Sequence, residues 1–401
     1  MSLKGKKILL GITGGVAAYK AAPLVRKLRK KGAQVRVVLT QGAEAFVTPL
    51  LFEALSGVKV FTQDDFLRPQ GGLIPHVSLG QFADLILVSP ATAAFLASLR
   101  VGDASSLLVA CIMASEAKVL LCPAMNEKMW RHPATQENVR ILKEWGYKVL
   151  SPEKGALACG DTGPGRLPSE GVILAWAKRL LTPQDLQGVK VLVACGPTRE
   201  PIDLVRYLSN RSSGRMGLAL AYAAFERGAE VTLVHGPLSM PVLPLFQEEE
   251  VETAEEMYRA VLEKIKEVDV FIMVAAVADF TPQVKREGKI KKDEGLQVDF
   301  VPTKDILSEV ARQKRPGQVI VGFAAEEEEA LPSEAQRKLK TKGIDILVAN
   351  PIDRPGVGFE SEANEVLILT SRGQEKRIGP APKEEIAHQI LDELVAFRGL
   401  S

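Results

Sequence analysis

Three short segments of the sequence place glycine, hydroxyl and amide groups where an apolar run gives way to a helical pattern. Thr13-Gly14-Gly15 is the first of them. Its glycines allow a ligand to approach the backbone, and a helix N-terminus favours phosphate. Ser89-Pro90-Ala91-Thr92 and Pro123-Ala124-Met125-Asn126 follow two further apolar runs. On the residues alone, the first segment fits either a phosphate-binding loop or a tight strand-to-helix turn, and Asn126 fits either a ligand contact or a turn.

A fourth segment, residues 158–166 (ACGDTGPGR), carries one thiol. Its three glycines and its proline exclude a regular element and predict a loop that can close over a site. Cys159 differs in this respect from the other three cysteines, which lie in apolar runs as buried structural thiols do (Cys111, Cys122 and Cys195). His76 also has a side chain able to transfer protons, although a lone histidine is more often structural.

The second half contains a connection rich in arginine. Residues 196–203 (GPTREPID) follow an apolar run, and residues 206–217 (RYLSNRSSGRMG) lead into a helical pattern. Four arginines and three serines in this connection indicate anion binding, and the alternative is a solvated basic loop. Asp279 ends another apolar run and could accept hydrogen bonds from the exocyclic amine of a base. Lys289 lies in a KIKK run that, taken alone, would be a surface charge cluster.

The elements that must position these residues alternate between apolar runs and amphipathic stretches, a pattern that predicts parallel strands covered by helices. The pattern restarts at Gly188, and residues 30–40 resemble residues 226–236. We therefore predict two doubly wound α/β domains with mostly parallel sheets, residues 1–187 and 188–401, with a helix over 169–181 and a linker over 182–188. Capping boxes predict helix starts at Thr253 and Ser333. The apolar runs are 8–12, 35–39, 85–88, 119–121, 188–193, 231–234, 270–275, 319–323 and 346–349.

The composition of the 401 residues is that of an ordinary globular protein, with 46% apolar residues, 25% charged residues and a net charge of +2. Such a charge gives no reason to expect nucleic acid or a membrane surface as a partner. The four cysteines show no CxxC spacing, which argues against disulfides and zinc. No apolar run approaches the roughly 20 residues of a membrane span, and the N-terminal stretch does not fit a signal peptide. We therefore expect a cytoplasmic protein that acts on small molecules.

A plain NAD-dependent dehydrogenase is the default alternative for such a fold, and the sequence disfavours it. Neither the loop at residues 11–16 nor the loop at 196–201 contains GxGxxG. The second strand of each domain ends without an acidic residue for a ribose 2′-hydroxyl, in Thr40 and in His235.

Taken together, TGGVAAYK, His76, PAMNEKMW and ACGDTGPGR resemble the flavin-containing cysteine decarboxylase family over roughly residues 5–180, specifically its phosphopantothenoylcysteine decarboxylase domain. The resemblance implies a flavodoxin-like domain with FMN over the Gly14-Gly15 loop and His76 as the active-site histidine. Asn126 would hold the substrate carboxylate, and Cys159 would protonate the enethiolate left after CO₂ departs. Relatives often carry Asn where this chain has Ala94. The implied flavin contacts are Thr13, Gly14, Gly15, Thr40, Ser89 and Thr92.

The implied chemistry accounts for the flavin. Loss of CO₂ from a simple α-amido carboxylate would leave an unstabilised carbanion. Oxidation of the cysteine thiol to a thioaldehyde places a C=S group β to the carboxylate, so that decarboxylation gives a conjugated enethiolate. The flavin supplies that oxidation and later returns the hydride. The final protonation requires a positioned acid.

In the second half GPTREPID, RYLSNRSSG, AAVADF, KIKK, VGFAAE and LVAN resemble the phosphopantothenoylcysteine synthetase (ligase) domain over roughly residues 188–398. The resemblance implies that CTP and Mg²⁺ activate 4′-phosphopantothenate as an acyl-cytidylate, held by Asn210, and that cysteine displaces CMP. Asp279 would recognise cytosine and Lys289 would bind the triphosphate. Relatives often read Pro-Asp where this chain has Lys304-Asp305. The rest of the nucleotide site would be Lys304, Asp305, Ile306, Leu307, Phe323, Lys338 and Lys342, with Asn350 facing the substrate.

Both resemblances together indicate the family of bifunctional bacterial coenzyme A biosynthesis proteins. That family implies a homo-oligomer, with trimeric flavin sites between subunits and dimeric ligase domains that would together build a dodecamer. Two alternatives stay open on the sequence: a flavin-binding regulatory module of the same fold, and an amide ligase with a degenerate first half.

Overall fold

The computed structural model of the chain describes residues 3–69, 72–156, 160, 162–291, 295–353 and 363–399. The chain divides into two compact units, residues 2–182 and 183–401. The division lies five residues before the predicted boundary at 187/188. None of the described helices combines the length and the apolar character that crossing a lipid bilayer requires.

The first unit is built on a five-stranded parallel sheet with the order β2-β1-β3-β4-β5. A two-stranded antiparallel hairpin, β6–β7, follows it. The strands are β1 (Lys7–Ile12), β2 (Gln34–Leu39), β3 (Leu85–Ala91), β4 (Lys118–Pro123), β5 (Lys148–Val149), β6 (Glu153–Ala156) and β7 (Thr162–Arg166). The helices are α1 (Ala21–Lys30), α2 (Gln41–Glu44), α3 (Pro49–Ser56), α4 (Pro75–Phe82), α5 (Ala93–Val101), α6 (Leu107–Met113), α7 (Glu127–Arg131), α8 (Pro133–Glu144) and α9 (Glu170–Leu181).

Burial on both faces explains why the strands of this sheet are continuous apolar runs. All seven residues of β3 are buried, and β1 is buried throughout after its exposed first residue. Helix α1 buries Ala21, Leu24, Val25 and Leu28, the spacing of one helical face. Each fully buried Val or Leu side chain contributes roughly 1.5–3 kcal/mol relative to exposure. The predicted α/β class is confirmed, as is the predicted helix before residue 182.

The second unit contains an eight-stranded sheet with the order β12-β11-β8-β13-β16-β17-β18-β19. Its strands are β8 (Lys190–Cys195), β11 (Glu230–His235), β12 (Gln247–Glu250), β13 (Val270–Met273), β16 (Val319–Glu326), β17 (Ile346–Pro351), β18 (Ala363–Thr370) and β19 (Glu375–Pro382). Two small antiparallel pairs join β9 (Arg199–Pro201) to β10 (Tyr207–Ser209) and β14 (Phe280–Pro282) to β15 (Phe300–Pro302). The helices are α10 (Arg215–Glu226), α11 (Ala254–Lys264), α12 (Ile306–Arg312), α13 (Leu331–Lys342) and α14 (Lys383–Arg398).

The large sheet is mixed, because its last two strands run antiparallel to their neighbours. The pairs from β12 through β17 are parallel, as predicted, whereas β17–β18 and β18–β19 are antiparallel. Strands β18 and β19 were not predicted from the sequence.

One of the two predicted helix starts is confirmed and the other is wrong. Thr253 caps α11 in a capping box, because its hydroxyl accepts from the Glu256 amide at 3.2 Å and the Glu256 carboxylate accepts from the Thr253 amide. Helix α13 begins at Leu331, so Ser333 lies inside its first turn, and the serine hydroxyl donates to Ala330 O instead of accepting an amide. Pro332 explains the difference, since proline is well suited to the first turn of a helix.

The stretch predicted to be a linker is packed onto the second unit. Leu186 is fully buried and its amide donates to Arg227 O. The side chain of Asp185 forms an ion pair with the buried guanidinium of Arg227, which also donates to Asp392 at 2.7 Å. Residues 183–188 are therefore the first structured segment of the second unit.

Candidate active sites

The first unit has a cavity of about 750 Å³ at the carboxyl edge of its sheet, within the size range of small-ligand sites. In open α/β sheets this edge is where ligands bind. The loop after β1, the first turn of α5 and the loop after β4 form its walls. Gly14, Gly15, Thr92, Ala94 and Asn126 line it together with Val16, Ala17, Tyr19, Lys20, Pro90, Ala93, Ala124, Met125, Met129, Gly165, Arg166 and Leu167.

Short contacts hold the loops after β1 and β3 together. The Thr13 hydroxyl donates to Pro90 O at 2.8 Å and accepts from the Thr92 amide at 3.0 Å. Thr92 in turn caps α5, because its hydroxyl accepts from the Phe95 amide at 3.3 Å. Thr13 is buried and shapes this wall of the cavity from behind.

The hairpin β6–β7 is anchored to the segment that carries Asn126. The Met125 amide donates to Gly165 O at 3.0 Å. A side chain at Gly165 would lie 2.2 Å from Met125 O, so only glycine fits there, and its φ of +156° also suits glycine. Asn126 is the N-cap of α7, with its carboxamide oxygen accepting from the Lys128 amide at 2.8 Å. The prediction that residues 158–166 contain no regular element is wrong for residues 162–166, which form strand β7 and pair with β6. Cys159 falls between the two hairpin strands in the sequence, and lies outside the described residues.

Four of the described residues expected at the flavin site do not line the cavity, and the first of them is Thr13, which lies behind the cavity wall. Thr40 donates its hydroxyl to Ile12 O at 3.3 Å, and Ser89 is fully buried in the sheet. His76 lies on α4 with its ring edge-on to Phe66 at 5.4 Å. Its Nδ1 is buried without a hydrogen-bond partner among the described residues.

The residues of this cavity fit a flavin nucleotide. Apolar groups such as Val16, Met125 and Met129 suit a planar aromatic ring, and Lys20 and Arg166 supply positive charge for a phosphate. Gly15 leaves space beside Thr92 for a ligand. A Cβ at Gly15 would extend into that space, where its only neighbour is the Thr92 methyl group at 3.6 Å.

The second unit has a cavity of about 440 Å³ at the carboxyl edge of its own sheet. Three of the residues that the sequence analysis placed in the ligase site line it: Asn210, Phe323 and Asn350. Its other lining residues are Arg211, Ser212, Ser213, Gly214, Arg215, Met216, Gly217, Val274, Ala275, Ala276, Ala324, Ala325, Ile352, Asn364 and Lys383. Three of these described residues are cationic and none is acidic, so the cavity attracts anions. Burial, together with the charge of Arg215, lowers the pKa of Lys383 below its usual range.

Asn210 and Asp279 belong to one hydrogen-bonded block beside this cavity. The Asn210 carboxamide donates to Val277 O at 2.9 Å. The Ala278 amide donates to the Thr198 hydroxyl at 3.0 Å. Thr303 completes the block, since its amide donates to Asp279 O at 2.9 Å. The Asp279 backbone is therefore fixed, although Asp279 does not line the cavity.

Most of the other residues expected at the nucleotide site lie outside the cavity: Lys289 has an exposed side chain, and the charged residues around α12 and α13 are paired with neighbours. Lys338 pairs with Glu326, and Lys304 pairs with Glu255 at 2.9 Å. Lys342 pairs with Asp305, which also caps α12. The buried Ile306 and partly buried Leu307 form the first turn of that helix. Burial opposes ionisation of Asp305, but Lys342 and Ser308 hold its pKa below the usual range.

Several lining residues were not predicted from the sequence. Arg215 belongs to the arginine-rich connection for which the sequence predicts anion binding, but it was not assigned a contact of its own. Asn364 lies in β18 and Lys383 begins α14, and neither has a neighbouring motif in the sequence. Lys20 and Arg166 of the first cavity lie inside recognised motifs but were not assigned a contact.

Two mostly parallel sheets, each with a ligand-sized cavity at its carboxyl edge, define a two-domain α/β protein of the nucleotide-binding type. Residues 1–182 match the family model described as Flavoprotein. Residues 186–397 match the model of the DNA/pantothenate metabolism flavoprotein C-terminal domain. The chain therefore carries both domains in this order.

Curated relatives match along the whole chain. The coenzyme A biosynthesis bifunctional protein CoaBC of Vibrio vulnificus (strain CMCP6) is 41% identical over 402 residues, covering 99% of each chain. The protein of the same description from Bacillus subtilis (strain 168) is 39% identical over 400 residues, covering 98% of each. The crystal structure of the C-terminal domain of coenzyme A biosynthesis bifunctional protein CoaBC is 33% identical, with a TM-score of 0.47, over 54% of this chain and 100% of that one. The chain belongs to the family of bifunctional coenzyme A biosynthesis proteins.

Proposed function

We propose that the chain catalyses two consecutive steps of coenzyme A biosynthesis. The second unit joins 4′-phosphopantothenate to cysteine with CTP, and the first unit decarboxylates the 4′-phosphopantothenoylcysteine that results. The observation that carries the proposal is the presence in one chain of two different cavities. One has apolar walls, two cations and Asn126. The other is cationic and contains Asn210.

In the first unit, Gly14, Gly15 and Thr92 hold FMN, and Thr13 supports them through its bonds to Pro90 and Thr92. Bound FMN supplies the oxidation of the cysteine thiol and the later return of the hydride. Asn126 donates hydrogen bonds to the substrate carboxylate and orients it for loss of CO₂. Cys159 then donates a proton to the enethiolate, and His76 acts before CO₂ is released. Thr40 and Ser89 support the strand ends behind the flavin.

In the second unit, the carboxylate of 4′-phosphopantothenate attacks the α-phosphorus of CTP and releases pyrophosphate. The cysteine amine then attacks the acyl carbon and releases CMP. Asn210 holds the acyl-cytidylate, Asp279 recognises cytosine and Lys289 binds the triphosphate. When nucleotide binds, the lysines around α12 leave their carboxylate partners and bind phosphate oxygens instead. The residues that complete the nucleotide site are Lys304, Asp305, Ile306, Leu307, Phe323, Lys338 and Lys342, with Asn350 facing the substrate.

Mg²⁺ accompanies the triphosphate. The described residues contain no group of three or more His, Cys, Asp or Glu side chains that could hold a metal ion. Mg²⁺ is commonly bound mainly through substrate phosphates and water, and such binding does not need a cluster of protein side chains.

The protein works as a homo-oligomer, and we propose a dodecamer. Val16 and Tyr19 line the first cavity and remain 56% and 60% exposed. Phe46, Leu50 and Leu51 of the same unit are also exposed. Exposed apolar patches are typical of protein interfaces, and a neighbouring subunit placed over Val16 and Tyr19 would close the cavity against water.

The test of the function is product analysis by mass. The purified protein is incubated with 4′-phosphopantothenate, cysteine, Mg²⁺ and CTP, and we expect 4′-phosphopantetheine, CMP, pyrophosphate and CO₂. Omission of cysteine should abolish all of the pantetheine product. A protein that binds flavin but forms none of these products would be a flavin-binding regulatory module instead, and one that stops at 4′-phosphopantothenoylcysteine would be only a ligase.

Replacement of Cys159 by serine should separate loss of CO₂ from the final protonation. Serine is close in size to cysteine, but its hydroxyl has a far higher pKa than the about 8.5 of a free thiol and is a poorer acid. The variant should release CO₂ from 4′-phosphopantothenoylcysteine and accumulate an enethiol product that is one H₂ lighter than the normal product, 4′-phosphopantetheine. His76→Gln is the comparison, and should block CO₂ release itself. The saturated product at the wild-type rate would remove Cys159 from the role of acid.

Replacement of Asp279 by alanine should reduce the preference for CTP over ATP. A site built to hydrogen-bond one partner can reject another by orders of magnitude, because the wrong partner leaves buried groups unpaired. The ratio of kcat/KM for the two nucleotides measures this preference. Asp299→Ala is the matched control, since Asp299 is an exposed aspartate just before β15, the strand that pairs with β14. Equal use of CTP and ATP by the wild type would remove the assignment.

A further inference from the structure

Residues 286–290 are fastened by hydrogen bonds to the turn between β9 and β10. The Arg286 amide donates to Ile202 O at 3.2 Å. At the other end of the stretch, the Ile290 amide donates to the carboxylate of Asp203 at 3.2 Å, and Ile290 O accepts from the Arg206 guanidinium at 3.0 Å. Both backbone polar groups of Ile290 are thus held by side chains of one turn.

Asp203 is the centre of this junction. It is buried, with 3% of its surface exposed. One carboxylate oxygen accepts from the amides of Val205 and Arg206, at 2.8 and 2.7 Å, and shapes the turn. The other accepts from Ile290 and lies 3.3 Å from the Arg206 guanidinium. Burial disfavours the ionised form, yet the three amides and Arg206 keep the pKa of Asp203 below its usual range.

The junction joins two segments that reach the ligase site. Lys289 immediately precedes the buried Ile290, and its own side chain is exposed. On the other side, β10 leads directly into Asn210, whose carboxamide is fixed on Val277 O. The turn at Asp203 therefore sets where Lys289 stands relative to Asn210.

We propose that Asp203 is a positioning residue of the ligase reaction: it fastens residues 286–290 to the β9–β10 turn and so holds Lys289 ready for the nucleotide triphosphate. The role of Lys289 rests on the proposed function, whereas the junction itself does not. Without the junction, the segment has more conformations to lose when nucleotide binds, so affinity falls.

Asp203→Asn is the sharpest test, because it is isosteric. The remaining carboxamide oxygen can still accept the amides of Val205 and Arg206. The new NH₂ group faces the Ile290 amide, and two donors cannot bond. Asp345→Asn is the matched control: Asp345 is also buried, accepts the Ile320 amide at 2.8 Å and pairs with Lys314, but lies at the opposite edge of the sheet.

Amide hydrogen exchange of the protein without nucleotide gives the first readout, which is independent of any activity. We expect Asp203→Asn to speed exchange in residues 286–290 about tenfold, the loss of one hydrogen bond to a charged group. Arg206→Met, which removes only the bond to Ile290 O and an outer ion pair, should speed exchange there less. Asp345→Asn should leave this segment unchanged. If Asp203→Asn fails to fold, the exchange result with Arg206→Met decides. Unchanged exchange in 286–290 overturns the proposal.

Kinetics give the second readout. Asp203→Asn should raise the KM for CTP about tenfold and leave the KM for cysteine unchanged. The same change made on top of Lys289→Gln should have little further effect, since there is no longer a lysine to position. An equal rise in both backgrounds, or no rise with the wild-type lysine, overturns the proposal. A wild-type protein without ligase activity would contradict the proposed function, and the exchange result would still report on the junction.

Discussion

Gly14 and Gly15 are adjacent in the first cavity, but they are glycine for different reasons. A Cβ at Gly14 would lie 2.6 Å from the backbone of Gly42, so the two loops touch where no side chain fits. Gly15 has extended backbone, which any residue can adopt, and a Cβ there meets only the Thr92 methyl at 3.6 Å. The first glycine therefore serves packing, and the second leaves space at the cavity wall.

This difference predicts opposite outcomes for the same substitution. Gly14→Ala should lower the free energy of unfolding by roughly 1–3 kcal/mol, because the clash is with backbone that cannot rotate away. Gly15→Ala should leave stability nearly unchanged but reduce the amount of flavin that copurifies, since its methyl occupies the space proposed for FMN. Thermal unfolding and the absorbance spectrum measure the two effects.

Two results would contradict these different roles of Gly14 and Gly15. A Gly14→Ala protein as stable as the wild type would mean that the loop can move away from Gly42. Full flavin content in Gly15→Ala would mean that the flavin does not lie against this residue.

At the scale of elements, the helix starts show what a short sequence pattern can predict. Thr253 and Ser333 both have an acceptor side chain three residues later, yet only Thr253 caps a helix. In the second case, Pro332 lets the helix begin earlier, and the serine becomes an interior residue.

The two residues form a natural pair for mutation. Thr253→Ala should cost about 1 kcal/mol of stability, the typical loss for an N-cap. Ser333→Ala should change stability by less than about 0.5 kcal/mol, as substitutions away from such features do. Urea unfolding of both variants measures the difference. Similar losses in the two variants would argue that Ser333 caps α13 in solution.

The strands were predictable and some site residues were not, for a physical reason. Parallel strands buried on both faces must be apolar throughout, so β1, β3 and β13 are visible as runs. Asn210 and Phe323 were found because the short contiguous motifs that contain them resemble those of the ligase family. Lys383 reaches its cavity only because β18 and β19 add antiparallel to the sheet and return the chain to α10, and no local pattern encodes that path.

For the molecule as a whole, the position of the boundary between the two units determines which fragment of the second unit should fold by itself. A fragment of residues 183–401 keeps Leu186 and Asp185, whereas one of residues 188–401 loses both. The shorter fragment should be less stable by roughly 2–5 kcal/mol, from a lost buried leucine and a partly unpaired guanidinium at Arg227.

Unfolding of the two fragments, with ligase activity as the second measurement, checks this prediction. Asp185→Ala in the longer fragment isolates the contribution of the ion pair. Equal stability of the two fragments would show that residues 183–187 are dispensable, and that the predicted boundary at 188 is the better place to divide the chain.

The guanidinium of Arg227 has one further consequence. It bonds Asp185 near the beginning of the second unit and Asp392 in its last helix, so the two ends of that unit are neighbours. Domains whose termini lie close together tolerate circular permutation and insertion into other chains. We therefore expect the second unit to keep its sheet when it is circularly permuted or inserted into another chain.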